Sequence, residues 1–355
     1  MNGKSAPSSR HPAAGALSLR VSFEGMSAVK ASAGLLGAVW HADVTDHTEA
    51  DIQVAMPSML ADQAGVLEQW RVDGDVREGR LGPALFRCTD KLLFVAISID
   101  EPLTGQTRDI AGAAQQAYAA LFEVMAAEGF AHLVRCWNYF ADINQEQVDQ
   151  GGVLERYRLF NIGRQAAFEA SEHSAEVGAP AACALGTHGG PLTIYALAAR
   201  SEPRSVENPR QVSAYRYPRR YGPKSPSFSR GSVLSDAAGG HVLFISGTAS
   251  IVGHESVHVG DVVAQTEESL RNIVTVVAQA NLGLGSEVFS SHKLCYKVFV
   301  RNPADAPVVA DTVRRVLGMD MGEGKESGEA TDMVVLQADV CRAELLVEIE
   351  AVGFA

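Results

Sequence analysis

An internal repeat limits the folds open to this chain, because one order of predicted elements occurs twice. In the second half, residues 241–251 are an apolar, β-branched strand, and residues 259–283 show the periodicity of an amphipathic helix. A strand at 293–301, a helix at 304–318 and two strands within 334–352 follow. The second half therefore predicts the order β-α-β-α-β-β.

The first half predicts the same six elements in the same order. The corresponding segments are 91–99, 107–130, 132–140, 154–170, 181–186 and 191–200. Agreement over six elements indicates a duplicated unit, since chance would match only two or three. We predict an α/β (α+β) fold of two tandem β-α-β-α-β-β units, each a mixed sheet with its helices on one face.

The remaining segments set the predicted domain bounds. Residues 1–15 are rich in Ser, Pro, Ala and Gly and are expected to form a flexible tail. Residues 16–200 are assigned to the first, degenerate unit, although the first 70 of them carry little pattern. Residues 201–230 are rich in Pro, Arg and Tyr without periodicity, which indicates a connection. Residues 231–355 are assigned to the second unit.

The charge balance limits the classes of partner. The 355 residues include 30 Lys and Arg against 42 Asp and Glu, a net charge of −12 with His neutral. Nonspecific binding of nucleic acid or of an anionic membrane requires a basic surface. We therefore expect no nucleic acid and no membrane as partner. A small anionic substrate stays open, because a few local cations are enough to bind it.

Cysteine usage indicates the compartment. The five cysteines are odd in number, lie far apart and form no CxxC pair, which is typical of the reducing cytoplasm. No apolar run reaches the length of a membrane span, and the N-terminal residues lack a signal-peptide hydrophobic region. His254 and His258 lie four residues apart without a third ligand in the pattern, so no metal site is predicted.

Strand alternation places charged residues on the faces of the second sheet that lie away from the helices. Lys297 and Arg301 share one face of their strand, opposite an apolar set. Glu348 and Glu350 similarly share one face of the last strand. Two interpretations remain open: a solvated face with ordinary ion pairs, or a pocket in which carboxylates and cations act on a ligand.

Specific strings add a family resemblance. YGPKSPSFSRGSVL, HVLFISGTASI and LLVEIEAVGF, among others within about 221–353, resemble the RidA/YjgF family of small trimeric proteins. CWNYFADIN, YRLFNIGR, GTHGGPLTIYALAAR and SVENPRQVSAYRYPRRYGPKSP extend the likeness back to about residue 85. Over that length the chain resembles the chorismatases, which are enzymes built on two RidA/YjgF-like units.

The resemblance implies conversion of chorismate with release of pyruvate. The catalytic glutamate of the family matches Glu348, in the unit expected to be catalytic. Two positions that help set the ring product in the family correspond to Gly247 and Cys341, and this pair resembles the type that forms 3-hydroxybenzoate. Formation of 4-hydroxybenzoate, or hydrolysis to a dihydrodiol acid, stays open as an alternative.

The implied chemistry assigns roles to further side chains. Cleavage of the enolpyruvyl ether begins with protonation of its methylene carbon, which needs a carboxyl group kept protonated by burial. Glu348 is the expected acid. The two carboxylates of chorismate need cations, for which Arg forks are suited. The candidate substrate-binding residues are Lys297, Arg301, Arg164 and Arg342, with Tyr157 and Tyr215 as hydroxyl donors.

Each of these basic residues could instead pair only with a neighbouring acid, for which Glu350 is the candidate. No cofactor is expected, since protonation and elimination need none. A RidA-like imine deaminase and a ligand-binding module without catalysis are the competing functional classes. The sequence leaves the assembly open between a monomer and a trimer.

Overall fold

The computed structural model describes residues 17–25, 33–43, 50–59, 65–104, 107–149, 152–171, 178–318 and 332–355. The predicted tail at 1–15 lies outside the described residues. Among the described residues, no helix combines the length and the apolar character needed to cross a membrane.

The first half contains fourteen of the described strands and two helices. They are β1 (Arg20–Glu24), β2 (Leu35–Ala42), β3 (Ile52–Ala55), β4 (Gly65–Arg71), β5 (Arg77–Leu81), β6 (Ala84–Cys88), β7 (Leu92–Ile99), β8 (Leu103–Thr104), β9 (Thr107–Arg108), α1 (Ile110–Glu128), β10 (His132–Ala141), β11 (Glu146–Asp149), β12 (Gly152–Glu155), α2 (Arg156–Ala170), β13 (Ala181–Thr187) and β14 (Leu192–Ala199). The order β7-α1-β10-α2-β13-β14 is the predicted one.

The second half repeats that order with additional short strands. Its elements are β15 (Arg204–Val206), β16 (Gly231–Ser235), β17 (His241–Ala249), β18 (Ile251–Val252), β19 (Glu255–Ser256), α3 (Val262–Leu284), β20 (Cys295–Val300), α4 (Ala306–Leu317), β21 (Met333–Gln337), β22 (Asp339–Val340) and β23 (Val347–Phe354). The predicted α+β class and the duplicated β-α-β-α-β-β order are confirmed.

The long helix of each half begins and ends by the same devices. Asp109 caps α1 by accepting from the backbone N–H of Gly112, and Asp261 caps α3 by accepting from that of Ala264. Both helices end at a glycine in the left-handed region, Gly129 and Gly285. An acidic N-cap and a left-handed glycine are favourable at these two positions.

Three sheets enclose a common core. The seven-stranded sheet has the order β22-β13-β10-β14-β7-β6-β5, and the six-stranded sheet has the order β15-β16-β17-β23-β20-β21. Each is mixed, because β10 pairs parallel to β13 and β20 parallel to β21. A third sheet, β1-β4-β2-β3, comes from the residues that carried little sequence pattern. One apolar cluster, here named the central core, takes residues from all three sheets.

The helices cover the outer faces of the two larger sheets, as predicted. One cluster lies between α1, α2 and the seven-stranded sheet, and another between α3, α4 and the six-stranded sheet. The opposite faces of these sheets turn toward the central core. The interpretation of a solvated face for Glu348 and Glu350 is therefore wrong, since both are buried between sheets.

Two short strands lie outside the units drawn from the sequence. β15, within the predicted connection 201–230, pairs with β16 and forms the edge of the six-stranded sheet. β22, from the second half, pairs with β13 and forms an edge of the seven-stranded sheet. Strands of two or three residues leave no readable alternation in a sequence, which is why both were missed. The pairing of β22 with β13 thus joins the two large sheets.

A buried charge network crosses the central core. It comprises Arg135 on β10, Glu350 on β23, Lys297 on β20, Glu68 on β4 and His41 on β2. Lys297 Nζ lies 2.7 Å from Glu350 Oε1 and 3.0 Å from Glu68 Oε2, and Arg135 pairs with Glu350. The network thus links all three sheets through ion pairs.

Glu68 is the most densely bonded member of the network. Its carboxylate accepts from Trp70 Nε1 at 2.8 Å and Tyr195 Oη at 2.9 Å, and it lies 2.9 Å from His41 Nε2. Burial opposes its ionisation, but the charge of Lys297 and these partners outweigh burial and lower the pKa of Glu68 to about 2. Burial lowers the pKa of His41, so the ring is neutral at neutral pH.

We expect Glu68→Ala to lower the free energy of unfolding by about 3–5 kcal/mol, because it leaves buried donors and a buried cation short of their acceptor. Asp73→Ala is the matched control, since it removes an exposed pair with Arg20 and should cost less than about 1 kcal/mol. Urea denaturation of both variants measures the difference. Equal losses would contradict a structural role for the network.

Candidate active site

A cavity opens where the six-stranded sheet meets α2 and the edge strand β22. It has a volume of about 250 Å³ and is lined by residues from both halves of the chain. Its walls include Tyr157, Tyr217, Tyr221, Arg230, Cys341 and Glu348. A smaller inner lobe of about 40 Å³ adds Asn138 and Arg164 to its walls. The two lobes share Gly247, Cys341 and Glu348.

Glu348 is the buried carboxyl group at the junction of the lobes. It lies on β23, where strand alternation points it away from the helices. Burial raises its pKa to about 8, with a further contribution from the negative charge of Glu350, while Arg135 and Arg230 act in the opposite direction. At neutral pH this carboxyl group is mainly protonated and can donate a proton.

Gly247 makes room for that carboxyl group. It lies on β17, beside an irregularity in the pairing with β23 between Ile245 and Thr248. A Cβ at position 247 would stand 2.8 Å from Cδ of Glu348 and 2.9 Å from Cβ of Cys183, and closer still to Oε1 of Glu348. A side chain here would therefore displace the acid or its neighbours.

Cys341 follows β22 and reaches both lobes. Burial raises the pKa of its thiol to about 12, with the nearby Glu348 acting in the same direction. Cys341 is thus a thiol and not a thiolate at neutral pH, so it offers a weak S–H donor and a small contact surface.

Three arginines and three tyrosines line the larger of the two lobes, here named the outer lobe. Arg230 donates to Tyr217 Oη at 2.9 Å and to the carbonyl of Val212 at 2.9 Å. Its Nε is buried and has no hydrogen-bond partner. The guanidinium of Arg342 lies 4.3 Å from the ring centroid of Tyr221. Planar cations beside phenols suit the binding of a carboxylate.

The structure brings five of the predicted site residues together with Gly247. Glu348, Cys341, Tyr157, Arg342 and, in the inner lobe, Arg164 line the cavity. Arg164 is buried, donates to the carbonyl of Ser227 at 2.5 Å and keeps a buried Nε without a partner. Its placement is compatible with a role at the inner wall of the site.

Three predicted substrate-binding residues lie elsewhere. Lys297 is engaged by Glu350 and Glu68 in the charge network, so the alternative of pairing with a neighbouring acid holds for it. Arg301 pairs with Asp339 and donates to the carbonyls of Val340, Arg342 and Leu345. Arg301 therefore fixes the loop that carries Cys341 and Arg342.

The third misplaced residue is Tyr215, which does not line either lobe; Tyr217 and Tyr221 lie there instead. These tyrosines belong to a segment with two single-turn 3-10 helices, in which sequence spacing does not fix direction. Arg230 was also missed. Its signal was a basic residue directly before an apolar strand, in a segment interpreted only as a connection.

The fold and the cavity together define a class of protein. Two duplicated sheet units enclose a cavity in which a buried, protonated carboxyl group faces arginines and phenols. This arrangement is suited to an enzyme that uses general acid catalysis on an anionic small molecule.

Comparison with known proteins gives the family. The family model described as "Chorismatase FkbO/Hyg5-like, N-terminal" matches residues 68–198. A 3-hydroxybenzoate synthase from Streptomyces hygroscopicus is 35% identical, over 90% of this chain and 91% of that protein. A chorismatase from Streptomyces rapamycinicus is 37% identical, over 90% and 92%. A chorismatase crystal structure is 30% identical, with a TM-score of 0.79 over 95% of this chain and 99% of that one. The chain belongs to the chorismatase family.

Gly247→Ala should lower stability by about 1–3 kcal/mol, because the new methyl group overpacks the contact with Glu348 and Cys183. Gly189→Ala is the matched control, since a Cβ there meets nothing within 4 Å. Chemical denaturation measures both. The double variant Gly247→Ala/Glu348→Ala should regain part of the loss, and additive losses would show that the carboxyl group is not the clashing partner.

Proposed function

We propose that this protein converts chorismate to 3-hydroxybenzoate and pyruvate. The observation that carries the proposal is the buried Glu348, whose raised pKa keeps it protonated inside a cavity lined by Arg230 and Arg342. The relative named 3-hydroxybenzoate synthase, which aligns over nine-tenths of both chains, supports the same reaction.

In the proposed reaction Glu348 donates its proton to the methylene carbon of the enolpyruvyl group. The C–H bond forms at the expense of the C=C bond, and an oxocarbenium ion results. The ring 4-hydroxyl oxygen then attacks ring carbon 3, whose bond to the ether oxygen breaks, so pyruvate leaves as a ketone. The hydroxyl proton returns to the Glu348 carboxylate, which regenerates the acid.

The resulting epoxide opens to the phenol without an external reactant. The bond from the epoxide oxygen to ring carbon 4 breaks, and the proton on ring carbon 3 is lost as the ring becomes aromatic. The oxygen takes up one proton, which gives 3-hydroxybenzoate. All atoms of chorismate appear in the two products, and no oxidant, water or cofactor enters the balance.

The arginines at the cavity account for the two carboxylates of the substrate. We assign Arg230 and Arg342 to the outer lobe, with Tyr217 and Tyr221 as neighbouring hydroxyl groups. Arg164 is assigned to the inner lobe with Tyr157. Arg forks bind carboxylates with two parallel hydrogen bonds and stay charged at any working pH.

Gly247 and Cys341 are proposed to direct the product. Gly247 sets the position of the Glu348 carboxyl group, and Cys341 presents its thiol at the junction of the lobes. Formation of some 4-hydroxybenzoate, or hydrolysis to a dihydrodiol acid, corresponds to other fates of the same cation. We also infer a cytoplasmic location from the five free thiols, with the choice between monomer and trimer left to solution measurement.

Glu348→Gln should lower kcat on chorismate by ~10²–10⁴-fold, because an amide cannot donate the proton. Binding should persist, since the amide keeps the shape of the side chain. Pyruvate and aromatic acids are quantified after incubation, and binding is measured by calorimetry. Glu123→Gln is the control, because Glu123 is exposed on α1 and remote from the cavity lining. Near-normal turnover of Glu348→Gln would remove the acid assignment.

The same incubation separates the competing functional classes. Pyruvate with a hydroxybenzoate supports the proposed reaction, and pyruvate with a dihydrodiol supports hydrolysis. Ammonia released from an imine supports a RidA-like deaminase, and binding of chorismate without turnover supports a module without catalysis.

Gly247→Ala and Cys341→Ala should each shift the product distribution away from 3-hydroxybenzoate. The first changes the position of the acid relative to the ring, and the second removes the thiol beside the reacting carbons. Chromatography of the products from each variant measures the ratio of 3-hydroxybenzoate to other ring acids. Unchanged ratios in both variants would show that neither residue directs the product.

A further inference from the structure

Two glutamates of β23 lie side by side in opposite electrostatic environments. Glu348 and Glu350 are two residues apart on one face, and both are almost fully buried. Two carboxylates this close in a buried site do not both ionise readily, because each negative charge disfavours the other. One of the two carboxyl groups is therefore expected to be ionised and the other to be protonated.

The contacts of Glu350 stabilise its ionised form. Its Oε1 lies 2.7 Å from Lys297 Nζ and accepts from Trp137 Nε1 at 2.8 Å, and its Oε2 pairs with Arg135. Burial opposes ionisation, but the charges of Lys297 and Arg135 outweigh burial and lower the pKa of Glu350. In the described part of the chain, Glu348 forms no comparable ion pair.

We propose that Glu350 is a positioning residue for the acid Glu348: its carboxylate, fixed by Lys297 and Arg135, keeps the proton on Glu348. This inference deepens the proposed function, on which it rests. Glu350 does not line either lobe of the cavity and is not proposed to touch the substrate. It acts through the charge that it presents to its neighbour.

Glu350 also screens Glu348 from the charge of a buried cation. Arg135 is a buried cation that acts on Glu348, and without a counter-ion it would favour the carboxylate of Glu348 more strongly. Glu350 neutralises part of that charge by pairing with Arg135. Lys297 pairs with both Glu350 and Glu68 of the small sheet, so the network that holds Glu350 extends over three sheets.

Other titratable groups face the two glutamates. Those interacting with Glu348 are Glu350 and Arg135 in the charge network, Arg230 at the outer lobe, and the neutral groups Cys341, Tyr157 and Cys183. Those interacting with Glu350 are Lys297, Arg135, Glu68, His41, Tyr139, Tyr195 and Cys183. Burial raises the pKa values of Cys183, Tyr139 and Tyr195, so these three are neutral, and Glu350 is the anion next to Glu348 on its own strand.

Two variants of opposite charge test the proposal through the pH dependence of kcat. In the unaltered protein the protonated acid is required, so kcat should fall as pH rises through about 8. Glu350→Gln removes the anion and leaves Arg135 acting on the acid, so the fall should begin about one pH unit lower or more. Arg135→Met removes the cation that acts on Glu348 while Lys297 still holds Glu350 ionised, so the fall should begin at higher pH.

The opposite direction of the two shifts is the diagnostic result. A merely structural role for Glu350 changes stability or kcat at every pH without moving the pH at which activity falls. Shifts in the same direction, or no shift in either variant, would overturn the proposal. Because each variant has its own expected sign, one that fails to fold leaves the other as a complete test. Glu123→Gln again serves as the control.

A second readout separates this proposal from the proposed function. The carboxyl group of Glu348 is titrated by ¹³C NMR in protein labelled at the glutamate side-chain carboxyl, and its signal is assigned by its absence in Glu348→Gln. The titration midpoint should move down in Glu350→Gln and up in Arg135→Met. A chain that does not turn over chorismate refutes the proposed function while this titration still decides the inference; immobile midpoints in an active enzyme refute the inference alone.

Discussion

The ion pair between Lys297 and Glu350 connects the parts of the structure on which the site depends. Both residues lie on inner faces of the six-stranded sheet, where an all-apolar core would be the simpler solution. Burying these charges is costly unless each is paired and hydrogen-bonded. Glu68 and Arg135 complete the pairing from two other sheets. The small sheet and the seven-stranded sheet are therefore required at that core by electrostatics as well as by apolar contact.

The packing of the sheets against one another also forms the cavity. After β21 the chain leaves the six-stranded sheet, and β22 pairs with β13 of the other large sheet. Arg301 holds the loop that follows β22 through three backbone carbonyls and Asp339. That loop carries Cys341 and Arg342 to the cavity. Arg301 was expected to bind substrate, and it instead fixes two residues that line the site. The close contact of Gly247 with Glu348 completes a site built from both halves of the chain.

Regular periodicity and matched strings made much of this predictable. The repeated element order, the shared face of Glu348 and Glu350 away from the helices, and the family positions of Gly247 and Cys341 all follow from local sequence. Pairings over long separations do not: Lys297 and Glu68 are 229 residues apart, and Glu68 lies where the sequence carried little pattern. One local signal was available, since Arg135 is the single Lys, Arg, Asp or Glu of β10 and a buried cation there requires an acidic partner.

The site satisfies two demands that oppose each other. A dianionic substrate needs cations nearby, yet any cation close to Glu348 favours its ionised form and removes the proton that the reaction requires. The structure meets both demands by giving the cations different partners. Arg230 and Arg342 lie at the outer lobe beside tyrosines, whereas the cations behind the acid are bound to Glu350 and Glu68. For the proposed function, an acidic chain with a net charge of −12 has to bind an anion and keep one carboxyl group protonated, and acidic residues serve both needs by pairing with the buried cations near the acid.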